Sequence, residues 1–186
     1  TYLALCRCDE FDVSGGGASS GTIDLALAKR DDGARFFVET SSADGKPAST
    51  EWTIVARNRR HALVRCRPKT GRTHQIRLHL ALANLPILSD PLYGPHVRFG
   101  GAAMAENARG KAGGEEEDGG GGGDRGYFAA EPEGYWGGDL WLGRQALHAA
   151  SLTVRHPKTD VSMTFRAPLP EDMRRACVAL GVDPDA

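Results

Sequence analysis

"TGRTHQIRLHL", residues 70–80, is where the chain changes its period. Before it, "EWTIVARN" and "HALVRCRP" alternate apolar and polar residues around the basic turn "NRR", the pattern of a β-hairpin. After the turn "PKTG" the spacing becomes helical: Ile76, Leu80 and Ala83 fall on one stripe, and Asn84 followed by Pro86 marks the stop. Thr73 is the expected N-cap, which would put unsatisfied N–H groups beside Arg72. Arg77 lies one turn from His74 and Ala81, away from the apolar stripe. A strand that delivers two arginines and two histidines to a helix start is suited to an anion.

Outward from this junction the same two periods recur. "YLALCRC", "GTIDLALAK" and "RFFVET" alternate as strands, with "RDDGA" as a turn, and predict a β-meander. Downstream, "QALHAASLTVRHP" and "SMTFRAPLP" predict two strands joined at "KTD", and "EDMRRACVALG" a short terminal helix. The fold class is therefore α+β, a mainly antiparallel, mixed central sheet with a few packed helices. Residues 1–94 and 140–186 read as one domain. Residues 95–139 are dominated by Gly, Ala and Glu, including "GGEEEDGGGGGD", and predict a disordered insertion, since such a segment buries too little apolar area to offset its ordering entropy.

With 186 residues and 40% hydrophobic content the chain is long enough for one core. Its net charge of -1 excludes a global pull toward nucleic acid or membrane, so any anion site must be local. The basic stretch at 57–77 contains no acid and predicts a basic face, while "EEED" at 115–118 is a counterweight. Cys6, Cys8, Cys66 and Cys177 form no CxxC pair, which favours reduced thiols and an intracellular setting. Neither they nor the histidines show zinc spacing, and no apolar run approaches the ~20 residues that span a bilayer. The sequence thus predicts no metal, no membrane association and a monomer. The compartment (cytoplasm, nucleus, mitochondrion or plastid) is not encoded in these residues.

"YLAL", "RPKTGRTHQIRLHLALANLPILSDPLYG", "ALHAASLTVRHP" and "FRAPLP" resemble, in order, the signatures of RluA-type pseudouridine synthases. The resemblance implies isomerisation of uridine in RNA (rRNA or tRNA), with no cofactor: the base is detached from its ribose carbon, turned and reattached through carbon. It also implies the site residues. Tyr2 falls at the tyrosine of the "YxA" motif and Arg77 at the basic residue of "HQIR", which makes these two the expected catalytic residues. The tyrosine ring would stack a flipped uracil and its hydroxyl accept a proton, while the guanidinium would orient a carboxylate. Arg72, Thr73, His74 and Gln75 are expected to bind RNA in the same cleft.

The family's catalytic aspartate lies in an "HRLD" motif before the "YxA" strand, and residues 1–186 contain no such motif. Because the chain opens on Thr1 directly into "TYLAL", the expectation is a fragment of a synthase, inactive alone, with the aspartate upstream. A catalytically inactive RNA-binding or assembly module is the alternative, and a protein-interaction domain is a third. Asp90 matches a structural position of the family, and Ser89 stands where the family has Gly.

Overall fold

In the computed structural model, residues 1–8, 19–31, 36–40, 44–95 and 142–186 are described. The insertion expected at 95–139 therefore falls, from residue 96 on, outside the described residues.

Five strands form one sheet, in the order β2 (Ser20–Asp24), β5 (Ser49–Arg57), β6 (His61–Pro68), β1 (Tyr2–Arg7) and β7 (Leu147–His148). β3 (Leu27–Asp31) and β4 (Phe36–Thr40) make a separate hairpin, as do β8 (Ser151–Arg155) and β9 (Ser162–Arg166). All pairings among these strands are antiparallel. α1 (Gln75–Leu82) follows β6 and α2 (Glu171–Ala179) follows β9, so the α+β expectation holds.

The meander does not form. "GTIDLALAK" breaks after Asp24 into two strands of different sheets, and β2 pairs with β5 rather than with a sequence neighbour. Alternation reports which residues face a core, but not which strand lies alongside. The β5–β6 hairpin is as expected: the Asn58 side-chain oxygen accepts from the Arg60 and His61 amides at 2.9 Å each, an Asx-type turn.

The basic stretch is not one face. Tyr2 lies opposite Cys66, and Cys66 opposite Trp52, so these side chains share one face of the sheet. Arg65 and Arg67 are one residue out of step with Cys66 and project from the other face. Arg59 and Arg60 sit at the hairpin turn, the opposite end of β6 from Thr70–Thr73. A strand's period of two splits a charge run that looks continuous in sequence.

The core runs through the centre of the sheet, where consecutive Ala4, Leu5 and Cys6 are completely buried and so covered on both faces. Trp52 closes over Gly21, where a Cβ would meet the indole at 3.1 Å. All four cysteines are buried thiols; burial above all pushes the Cys66 thiol up to about 12 and the Cys177 thiol to about 11.

Candidate active site

α1 is held on the sheet face that carries Tyr2. The Thr50 hydroxyl, two residues along β5 from Trp52, meets His79 Nδ1 at 2.9 Å and receives the Gln75 amide at 3.0 Å. Both helix residues are buried. Burial also pushes the His79 pKa down, only partly countered by the ring's second bond, to the Leu25 carbonyl.

Gln75, expected to bind RNA, has its side chain engaged inside the fold. Its Oε1 accepts from the Thr70 hydroxyl (2.8 Å) and the Arg72 amide (2.9 Å), and its Nε2 donates to the Ser49 carbonyl (2.9 Å) as well as to Thr50. A side chain that is 3% exposed with its amide engaged four times is a scaffold bolt that shapes the 70–74 loop. Thr73 is not the helix cap either. The cap is His74, in the left-handed region at φ 53° with no side-chain capping bond, so α1 starts one residue later than the expected cap implies. At the other end Asn84 adopts φ 56°, and Leu85 N–H bonds the Leu80 carbonyl at 2.8 Å, as expected of a helix stop.

His74 is held by what it faces. Its Nδ1 lies 3.0 Å from the Tyr93 hydroxyl, and the two rings meet edge to face with centroids 5.6 Å apart. Burial, then the charge of Arg77, lowers the His74 pKa, only partly countered by Asp90, and Lys29 lowers it further. A neutral imidazole at the mouth of the helix follows.

Arg77 carries the central interaction. Its Nε donates to Asp90 Oδ2 and its Nη2 to Asp90 Oδ1, each at 2.6 Å, and its guanidinium carbon lies 5.1 Å from the centre of the Tyr93 ring. Burial works against the cation, but the Asp90 hydrogen bonds and charge outweigh it, so its pKa is raised. Asp90 Oδ1 also accepts from the amides of Leu92 (2.9 Å) and Tyr93 (3.1 Å). "DPLYG" is thus a turn wound around one carboxylate. Sequence reading placed Arg77 against a carboxylate but did not foresee Asp90 and Tyr93 as its partners; the signal was an Asp followed by Pro, the start of an Asx turn.

Ser89, just before this turn, adopts φ 55°, so the backbone keeps a glycine-like conformation without the glycine. Ser89→Gly should therefore raise stability by about 0.5–1 kcal/mol, the net of relieved left-handed strain and greater chain entropy. Urea unfolding checks this, and a loss of stability would count against it.

Of the expected site residues, Arg72, Thr73 and His74 are consecutive on the loop, and Arg77 lies on the first turn of α1. Arg72 is exposed, its Nε donating to the Pro47 carbonyl at 3.0 Å. Tyr2 is partly exposed on the same sheet face as α1, reached from β1. No group of His, Cys, Asp and Glu able to hold a metal is present among the described residues, and none of their helices is long and apolar enough to cross a membrane.

The fold recurs in known proteins. Two solved human structures share the fold: RNA pseudouridylate synthase domain containing 4, with TM-score 0.57 and 17% identity over 98% of this chain and 62% of that one, and domain containing 1, with TM-score 0.53 and 20% identity over 94% and 57%. The fold is that of a pseudouridylate synthase domain. Residues 1–82 match the RNA pseudouridylate synthase family model. Among curated relatives, ribosomal large subunit pseudouridine synthase D of Xanthomonas campestris is 35% identical over 75% of this chain and 34% of its own length. The Vibrio cholerae protein of the same name is 30% identical over 92% and 44%, and the RNA pseudouridine synthase YlyB of Bacillus subtilis 33% over 82% and 36%. The chain belongs to the RluA-type pseudouridine synthase family. It spans about a third to under a half of the length of these curated relatives.

Proposed function

We propose that this chain forms part of an enzyme that isomerises uridine to pseudouridine in structured RNA. The observation that carries the reading is the Arg77 guanidinium, locked against Asp90 and Tyr93 on the sheet face that also bears Tyr2. In the proposed reaction the bond from uracil N1 to the ribose carbon breaks, a bond from C5 to that carbon forms, the C5 proton leaves and N1 gains one. Tyr2 stacks the turned base and takes the C5 proton; Arg72, Thr73 and His74 hold the surrounding RNA.

Asp90 is not offered as the attacking carboxylate, because its side chain is fully enclosed and both oxygens are already accepting. That carboxylate is assigned to an "HRLD"-type segment outside residues 1–186. It would meet Arg77 from the Nη1 side, since Nε and Nη2 are turned to Asp90. The relatives named for the ribosomal large subunit favour ribosomal RNA as substrate.

The test is release of tritium from C5-labelled uridine in ribosomal RNA by the complete protein. Tyr2→Phe and Arg77→Met should each slow release by about 10²-fold or more. Salt-dependent RNA binding without any release would replace this reading with the non-catalytic RNA-binding module.

A further inference from the structure

Beside the catalytic cluster, and not part of it, lies a cavity of about 380 Å³ lined by β3, the 44–46 segment and the 71–73 loop. Among the described residues, four cationic ones, Lys29, Arg30, Lys46 and Arg72, line it together with the carboxylate of Asp44. In a chain whose net charge is -1, this is a local concentration of positive charge. The carboxylate is itself engaged by Arg30, in a two-pronged pair at 2.7 and 2.9 Å.

The walls are tied together by main chain. Leu27 and Lys46 exchange both backbone hydrogen bonds, at 3.0 and 2.9 Å, and Arg72 Nε is fixed on the Pro47 carbonyl. At Gly71, on the rim, an added Cβ would meet nothing within 4 Å. Neither its backbone angle nor a neighbour demands glycine there, so what glycine leaves is open room next to main chain. Thr73 lines the cavity and is followed directly by His74, so cavity and cluster are continuous along the chain. The charge of Lys29 also lowers the His74 pKa, after burial and Arg77.

We propose that this cavity is a seat for the ribose-phosphate backbone of the RNA strand next to the target nucleotide, with Lys29 and Lys46 as phosphate ligands and Gly71 as the open rim. This rests on the reading that the protein acts on RNA. It adds two lysines from outside the helix motif and gives Gly71 a role in letting the strand approach. Lysines in this position contribute affinity and register without base preference.

The experiment measures binding of the complete protein to a 5′-labelled, uridine-containing RNA hairpin across a salt series. The double variant Lys29→Ala/Lys46→Ala should bind at least about tenfold more weakly at low salt, with a slope of log affinity against log salt shallower by about one to two. Gly71→Glu should weaken binding similarly while leaving the thermal unfolding midpoint unchanged, because the space is open. Wild-type binding that neither variant changes would overturn the cavity as a backbone seat and leave the proposed function standing. Failure of the wild-type protein to bind RNA would overturn both.

Discussion

Asp90→Ala should lower the unfolding free energy by about 3–5 kcal/mol, the usual cost of deleting one partner of a buried ion pair. The Asp90 side chain is fully enclosed and that of Arg77 only 12% exposed, so water cannot replace the lost partner. The substitution strands more than a cation, because the amides of Leu92 and Tyr93 also lose their acceptor. Asp90→Asn separates the two losses: its side-chain oxygen can still serve the amides, while the charge is gone, so it should fall between wild type and Asp90→Ala. Against a typical total of about 5–15 kcal/mol, the alanine variant should be marginal at best. Urea unfolding with an unchanged m-value is the measurement, and an alanine variant within 1 kcal/mol of wild type would rule out the pair as a keystone.

Gly94→Ala should produce a comparable loss from a single methyl group. A Cβ on Gly94 would sit 2.3 Å from the Asp90 carbonyl oxygen, and the same oxygen accepts the Gly94 amide at 3.0 Å. The clash is with main chain and cannot be relieved by turning a side chain. Either the turn opens and loses its closing bond, or Asp90 shifts away from Arg77. Overpacking ordinarily costs about 1–3 kcal/mol, and this site should lie at or above the top of that range. Since both substitutions act through the same turn, their effects should be less than additive in a double-mutant cycle; simple additivity would mean that Gly94 acts elsewhere.

Local chemistry made much of this legible. Asn58 announced the β5–β6 turn, the switch of period after Gly71 announced α1, and Asn84 announced its end. Partnerships formed at a distance were hidden. Nothing in the alternation of "GTIDLALAK" says that its first half joins β5 and its second half β4. Gln75 looked like a polar residue available to ligand, and only the fold shows its amide taken up by Thr70, Arg72, Ser49 and Thr50. Thr73 has the chemistry of a cap, yet the bond to Tyr93 holds His74 in the capping position. The carboxylate facing Arg77 lay thirteen residues downstream, in a turn whose purpose emerges only when the helix is packed.

The bolting of Gln75 and His79 to Thr50 has a kinetic consequence. These bonds close loops of 25 and 29 residues, and the Arg77–Asp90 pair closes one of 13, whereas the Thr1–Ser151 bond spans 150. Short loops close early, because less chain entropy is lost before the first favourable contact forms. The hairpin, α1 and the "DPLYG" turn should therefore condense first, as a nucleus within residues 49–94. β7 should dock against β1 only afterwards. During synthesis, the Arg77 cluster would be assembled before residues 142–186 leave the ribosome, and the slowest step would be edge closure of a sheet already carrying that cluster.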